Sequence, residues 1–133
     1  MAKAKLRHVA IQVKDHAAAA QFYVDALGME IVGQTESPLA SGTYVSDGTV
    51  TLALLEYRSD EWAGGDKDAV IINHIGFWVD DLDEQSDIIK KNGGTFFKEL
   101  PIDKNSLYYE LKFRDPNGII FDVSHNGWVG ATK

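Results

Sequence analysis

The sequence contains no cysteine. Without a thiol, cysteine nucleophiles, disulfide bridges and thiolate-bound zinc are excluded, so any metal ion must be held by nitrogen and oxygen donors. The same absence is compatible with the reducing environment of the cytoplasm, which is the location that we expect.

Long apolar runs and an excess of basic residues are also missing. No stretch approaches the ~18 apolar residues of a membrane span, and no hydrophobic signal peptide is expected at the N-terminus. Thirteen basic residues against 20 acidic ones give a formal net charge of -7, which repels phosphate backbones and anionic membrane surfaces. We therefore expect neither nucleic acid nor a membrane as a partner.

The 133 residues are 44% hydrophobic, which suits one folded domain over residues 1–133. Within it, the segment 6–15 recurs as 72–81, and both copies read His-x-small-x-x-Val-x-Asp. A helical pattern and three β-rich segments follow each copy. The expected fold is therefore α+β, with two βαβββ modules: module one at about 5–57, a polar linker at 58–69, module two at about 70–125 and a tail at 126–133.

The predicted helices run from Ala17 to Leu27, closed by Gly28, and from Leu82 to Asn92, closed by Gly93. Aspartates precede both helices and are suited to cap their first turns. The predicted later strands are rich in β-formers and end in hairpin-type turns at 46–48 and 115–118. They are Glu30–Thr35, Gly42–Val45 and Val50–Tyr57 in the first half, then Thr95–Lys98, Leu107–Phe113 and Ile119–Ser124 in the second.

Three residues are candidate metal ligands. His8 and His74 occupy matching positions on the two repeated strands, so a pseudo-twofold axis between the modules would bring both imidazoles together. Asp122 lies in an otherwise apolar strand, where an unpaired carboxylate is expensive to bury and needs a cation or a dense set of donors. His125, directly after that strand, is a spare donor whose alternative is a place on the surface.

Several motifs together resemble the vicinal oxygen chelate superfamily, which includes glyoxalase I, bleomycin-resistance proteins, methylmalonyl-CoA epimerase and extradiol dioxygenases. The resemblance covers roughly residues 5–125. It is carried by the two His-led strands, by the helix ends Phe22-Tyr23-x-x-x-Leu27-Gly28 and Asn92-Gly93-Gly94, and by the turn Asp115-Pro116-Asn117-Gly118-x-x-x-acid.

The resemblance implies that eight strands curl around a cavity holding a divalent ion, with ligands at His8, His74 and Asp122. The ion could be Zn, Ni, Co, Mn or Fe(II). The last of these positions is usually glutamate, and the aspartate here reaches about 1.5 Å less far. Such a site leaves coordination positions open for adjacent oxygens of a small-molecule substrate.

Glu56 is the candidate general base, and in glyoxalase-type members an acid on this strand is a fourth ligand. Aligning Gly48 with Gly118 places Leu52 opposite Asp122 and Glu56 four residues further along, about 13 Å away at ~3.3 Å per residue. Glu56 shares the strand parity of Leu52, so it remains a candidate for the cavity wall.

The resemblance favours a metal-dependent lyase of the glyoxalase I type, or an epimerase or isomerase, that moves a proton next to a chelated carbonyl. One alternative is a ring-cleaving extradiol dioxygenase using Fe(II) or Mn(II). The resemblance to those enzymes implies a tyrosine at the position that Lys112 occupies here. Another is a metal-free drug-binding protein of the bleomycin-resistance type, with Trp62, Trp78 and Trp128 as candidate aromatic contacts. A homodimer is expected in each case.

Overall fold

The computed structural model describes residues 3–133. Its elements alternate in two similar series, as the repeat predicts. In the first half they are β1 (Lys5–Gln12), α1 (His16–Leu27), β2 (Glu30–Glu36), β3 (Ala40–Ser46), β4 (Thr51–Tyr57) and α2 (Asp60–Ala63). In the second half they are β5 (Ile72–Trp78), α3 (Leu82–Lys91), β6 (Thr95–Glu99), β7 (Leu111–Arg114) and β8 (Ile120–Ser124).

The eight strands form one open mixed sheet in the order β2-β3-β4-β1-β5-β8-β7-β6, which confirms the predicted fold class. The first strand of each module pairs in parallel with the last strand of the same module, and β1 pairs antiparallel with β5 at the centre. The two modules are therefore related by a pseudo-twofold axis between β1 and β5. The three strands β1, β5 and β8 lie next to one another around this axis.

The helices begin and end where the sequence predicts, to within one residue. Asp15 and Asp81 cap the first turns of α1 and α3, where their side chains accept hydrogen bonds from Ala18 N and Glu84 N. Gly28 ends α1 with φ of 69°, a left-handed conformation that favours glycine. Asp15 and Asp81 thus fix where α1 and α3 begin, and Gly28 fixes where α1 ends.

The helices α1 and α3 cover one face of the sheet, and the cavity occupies the other. Under α1, Ala20 packs with Val45 and Leu54, while Val79, Phe113 and Val123 form the corresponding core of the second half. A third, smaller cluster of Ala10, Ala53 and Leu55 lies on β1 and β4. Residues 53 and 55 line the cavity, so alternate residues of β4 face the cavity and the helix.

One predicted strand is shorter than expected. The segment 107–110 is a loop, and β7 begins only at Leu111. Local hydrogen bonds compete with strand pairing here, since Asp103 accepts from Asn105 N and the Ser106 carbonyl accepts from Tyr109 N. The resulting loop, residues 100–110, folds over the cavity and supplies part of its wall.

The linker 58–69 contains the short helix α2, capped by Ser59. The buried side chain of Gln12 attaches the linker to the sheet, because its amide donates to the carbonyls of Asp66 and Ala69 at 2.9 and 3.1 Å. No helix within residues 3–133 has the length and apolar character needed to cross a membrane.

Candidate functional site

Strand register brings the candidate ligands into one row across the sheet. His8 on β1 lies opposite Gly76 on β5, Gly76 lies beside Asp122 on β8, and Asp122 lies opposite Lys112 on β7. His74 precedes Gly76 by two residues and so shares its face of the pleated strand. All four side chains point toward the cavity side of the sheet.

The three predicted ligands meet at one point. His8 Nε2 is 3.3 Å from His74 Nε2, and Asp122 Oδ2 is 2.7 Å from His74 Nε2 and 3.8 Å from His8 Nε2. All three residues are at most 3% exposed. Among the described residues, they form the one group of three or more His, Asp or Glu side chains close enough to share a metal ion, and they come from a single chain.

Gly76 makes this convergence possible. A Cβ atom at this position would lie 2.8 Å from His8 Cδ2 and 2.8 Å from Trp128 Cζ2, closer than such atoms approach in folded proteins. Hydrogen in place of a side chain lets the His8 ring cross over β5 toward Asp122. The glycine of the second repeat is therefore part of the site, although it carries no ligand atom.

A hydrogen-bond relay sets the orientation of the His74 ring. Asn73 Nδ2 donates to Gln12 Oε1 at 2.7 Å and to the Ala63 carbonyl at 2.8 Å, which identifies the other amide atom of Asn73 as oxygen. That oxygen lies 2.6 Å from His74 Nδ1, so Nδ1 must be the protonated nitrogen. His74 Nε2 then directs a lone pair toward Asp122, as a metal-ligating imidazole requires.

The resulting donor set fits a divalent cation. A lone pair on His74 Nε2 faces Asp122 Oδ2 at 2.7 Å, and two acceptors this close repel each other unless a proton or a metal cation lies between them. Asp122 Oδ2 and His8 Nδ1 are buried without hydrogen-bond partners in the protein. Two imidazoles with one carboxylate are ligands typical of divalent transition metals.

Burial keeps both imidazoles neutral, which is the form that ligates metals. It lowers the pKa of His8 to about 3, against a partly opposing effect of Glu110, and it also lowers the pKa of His74 well below its ordinary value, assisted by Lys112. Burial raises the pKa of Asp122, although the neighbouring ammonium of Lys112 opposes this shift.

Glu110, at the end of the loop 100–110, and Lys112 on β7 extend the site. Lys112 Nζ is 2.9 Å from Asp122 Oδ1 and 3.3 Å from Glu110 Oε1, and its side chain is only 4% exposed. Burial opposes the charged form of Lys112, but Asp122 and Glu110 outweigh it and raise the pKa of the ammonium group. Burial, together with Asp122, raises the pKa of Glu110. One buried ammonium balances the charge of only one of the two neighbouring carboxylates, so the site can accommodate a further positive charge.

The C-terminal tail completes the site with an aromatic ring. Trp128 stacks on His8 with ring centroids 5.1 Å apart and planes 3° from parallel, and its Nε1 donates to Glu110 Oε2 at 3.1 Å. The tail is held on the first module because Ser46 and Thr51 hydroxyls donate to the carbonyls of residues 130 and 129. Trp128 therefore contacts both His8, a candidate ligand, and the Glu110 carboxylate.

The site lies in a cavity of about 560 Å³. Its walls are mostly apolar and aromatic, while His8, His74, Glu110 and Lys112 form a polar floor. This division is typical of a small-molecule binding site.

Glu56 is not brought into the site, which corrects the expectation that it lines the cavity. Its Oε2 accepts from the backbone nitrogen of His16 at 3.1 Å on the helix side of the sheet. The register shows why. Ala10 pairs with Ala53 in module one as Gly76 pairs with Asp122 in module two, so Ala53, not Leu52, is the counterpart of Asp122.

The alignment fails by one residue because the glycines stand at different places in the two turns: Gly48 precedes the closing residue Val50 by two positions, whereas Gly118 precedes Ile119 by one. The closing hydrogen bond joins Asp47 N to the Val50 carbonyl in the first turn, but Asp115 N to the Ile119 carbonyl in the second. A slip of one position transfers every side chain of a strand to the opposite face. His125 is likewise outside the ligand cluster; its carbonyl accepts from Trp78 Nε1.

Glu110 is the site residue that the sequence analysis missed as a candidate acid. It stands two residues before Lys112, within the long strand that the sequence predicts to end at Phe113. The alternation of charged residues, Glu110 then Lys112, was the available signal. Asn73 and Gln12 gave no signal, because their partners are backbone carbonyls of a linker distant in sequence.

Comparison with known proteins gives a consistent result. A sequence model described as the Glyoxalase/Bleomycin resistance protein/Dioxygenase superfamily matches residues 5–123. A curated protein of Vibrio parahaemolyticus named "Probable lactoylglutathione lyase" is 23% identical over 98% of this chain and 97% of its own length.

Solved structures with the same fold include methylmalonyl-CoA epimerases. A single-residue variant of the Streptomyces coelicolor enzyme, in complex with 2-nitronate-propionyl-CoA, has a TM-score of 0.75 at 20% identity, covering 92% of this chain and 96% of that one. The Mycobacterium tuberculosis enzyme has a TM-score of 0.72 at 19% identity, with coverage of 90% and 85%.

The close approach at Gly76 predicts the effect of adding one methyl group. Gly76→Ala should displace His8 and Trp128 and weaken Zn²⁺ binding by about 10- to 100-fold, the range expected when support of a ligand is lost. Competition with a chromophoric chelator measures this affinity. Gly65→Ala is the matched control, since no atom lies within 4 Å of its added Cβ. Equal affinities for the two variants would contradict the assignment.

Proposed function

The chain belongs to the glyoxalase/bleomycin resistance protein/dioxygenase superfamily, and we propose that it is a divalent-metal-dependent enzyme of the lyase or epimerase type. Its reaction moves a proton at a carbon next to a carbonyl of a small substrate with adjacent oxygens. The observation that carries this proposal is the convergence of His8 Nε2, His74 Nε2 and Asp122 Oδ2 on the floor of a cavity that also presents the Glu110 carboxylate. The relatives named as a lyase and as epimerases support the same reaction type.

The ligand residues would hold the ion within one chain. When bound by His8, His74 and Asp122, a divalent ion such as Zn, Ni, Co, Mn or Fe(II) supplies Lewis acidity that stabilises negative charge on chelated substrate oxygens. Asn73 contributes by fixing the His74 tautomer, and the apolar walls exclude water from these charges.

Glu110 replaces Glu56 as the proposed general base. Its Oε2 is engaged by Trp128 Nε1 at 3.1 Å, whereas Oε1 makes a longer 3.3 Å contact with Lys112 Nζ. The Glu110 carboxylate takes the proton from the substrate carbon and returns it. Lys112 stabilises the carboxylate before the transfer, while the indole of Trp128 keeps the carboxyl group facing the cavity.

A metal-free binding protein is the second candidate function. The observation in its favour is Lys112, whose ammonium lies 2.9 Å from Asp122 Oδ1 and already supplies one positive charge. Ring cleavage with Fe(II) or Mn(II) stays a prediction of the sequence alone, as does the cytoplasmic location.

Removing single ligands separates these candidates. His8→Ala, His74→Ala and Asp122→Asn should each abolish stoichiometric Zn²⁺ binding, because the remaining two donors hold the ion far less tightly. Elemental analysis after gel filtration, with circular dichroism to verify folding, measures this. His125→Ala is the matched control and should retain one equivalent. If the wild-type chain takes up no Zn²⁺, Ni²⁺, Co²⁺, Mn²⁺ or Fe²⁺, the metal-free candidate replaces the enzyme.

Two glutamate variants test the base. Glu110→Gln should slow exchange of the carbon-bound protons of hydroxyacetone with D₂O by about 100-fold or more, since general-base catalysis contributes ~10²- to 10⁴-fold. Zn²⁺ content should stay the same. Glu56→Gln, on the other side of the sheet, should leave both quantities unchanged. Proton exchange is followed by NMR, and a loss confined to Glu56→Gln would reverse the assignment.

We also propose that the chain forms a homodimer. Large apolar side chains remain on its surface, with Phe22, Leu27 and Ile72 exposed by 61%, 66% and 68%. Covering such groups favours association. Sedimentation equilibrium should give twice the 14.7 kDa mass of one chain, and a single-chain mass at micromolar concentration would contradict the dimer.

A further inference from the structure

We infer that the substrate is an uncharged molecule with an aromatic body, not a conjugate of glutathione or coenzyme A. This inference rests on the proposed function, because it places the adjacent oxygens of the substrate at the polar floor of the same cavity. The names of the similar proteins suggest a different substrate. The inference follows from the aromatic walls of the cavity and from the ion pairs that already engage the nearby lysine and arginine side chains.

Aromatic side chains from distant parts of the chain surround the cavity. Tyr44 on β3 and Tyr108 of the loop 100–110 stack with ring centroids 5.7 Å apart and planes at 30°. Trp62 of α2, Tyr57 of β4 and Trp128 of the tail contribute further rings. Flat rings of this kind pack best against another flat ring, in offset or edge-to-face contact.

The volume suits a compact ligand. About 560 Å³ lies in the middle of the range that holds drug-sized molecules, which bury most of their surface in such a site. A single substituted ring with a short oxygenated side chain fits within this space. Its oxygens would reach the ligand cluster while the ring stays among the tyrosines and tryptophans.

The charges of the cavity disfavour anionic substrates. Lys112 is the only lysine or arginine among the described residues that line it, and this ammonium is committed to Asp122 and Glu110. Asp103 adds a further acidic side chain to the wall. A carboxylate of glutathione or a phosphate of coenzyme A that is enclosed by these walls, away from the ligand cluster, would therefore lack a counter-charge, which is costly.

Basic residues near the mouth are also engaged. Arg58 pairs with Glu36 and donates to the Ser37 carbonyl, and Lys98 lies 2.6 Å from Glu61 while its ammonium sits over the Trp62 ring. Recruiting either group to an anionic tail would break an existing ion pair. An uncharged aromatic substrate requires no such exchange.

Calorimetric titrations with defined probes test this inference. The probes are 2-hydroxy-1-phenylethanone, hydroxyacetone, S-lactoylglutathione and methylmalonyl-CoA, each added to the Zn²⁺-loaded and the metal-free chain. The phenyl probe should bind about tenfold or more tightly than hydroxyacetone, which has the same adjacent oxygens without the ring. It should also bind more tightly than either anionic conjugate. Tighter binding of S-lactoylglutathione or methylmalonyl-CoA would overturn the inference.

A tyrosine variant shows whether the ring is held where the structure indicates. Tyr108→Ala, in a half-exposed loop position, should weaken the phenyl probe by about fivefold and leave hydroxyacetone unchanged. Leu107→Ala, the neighbouring loop residue of similar exposure that does not line the cavity, is the matched control and should change neither. Equal losses for both probes, or no loss for the phenyl probe, would contradict aromatic recognition.

The two proposals fail in distinguishable ways. If proton exchange or metal binding is absent but the phenyl probe still binds most tightly to the metal-free chain, the proposed enzyme is wrong and the aromatic specificity stands. If metal binding and exchange are present but an anionic conjugate binds most tightly, the enzyme stands and the inference is wrong.

Discussion

The buried carboxylate of Asp122 is the constraint on which the rest of the site depends. It is completely inaccessible to solvent, and a charge in that position must be compensated by its neighbours. Lys112 compensates one oxygen, while His74 directs a lone pair toward the other and His8 Nε2 lies 3.8 Å from it. Much of the surrounding structure serves this arrangement, from the missing side chain of Gly76 to the Asn73 and Gln12 relay that fixes one imidazole.

Most of the fold could be predicted because its signals are local and duplicated. Repeated His-led strands, aspartate caps and glycine helix ends indicate the two modules and both helix positions. The approach of His8 and His74 also followed, since matching positions in a repeat approach a shared axis, and Asp122 was indicated as a carboxylate within an otherwise apolar strand. Residues 107–110, within the loop 100–110, have the sequence pattern of a strand. The contacts that bend the loop, such as the hydrogen bond from Asn105 N to Asp103, cannot be read from that pattern.

Glu110, the proposed general base, could not be predicted for a different reason. Choosing between Glu56 and Glu110 required the exact register of β4, and the two turns differ by a single residue. Side-chain direction in a strand depends on odd or even position, so the smallest possible alignment error moved Glu56 from one face to the other. Trp128 posed the opposite problem, because nothing local in the tail indicates that its ring reaches His8.

The unequal turns leave the two modules inequivalent at their shared axis. Ala53 stands where Asp122 would have its counterpart, so the acidic groups of the site all come from module two, and module one offers only a methyl group there. A planar carbonyl compound lying between the modules therefore meets carboxylates on one side and hydrocarbon on the other. Under the proposed function, this difference between the duplicated halves makes the two faces of the bound ligand inequivalent.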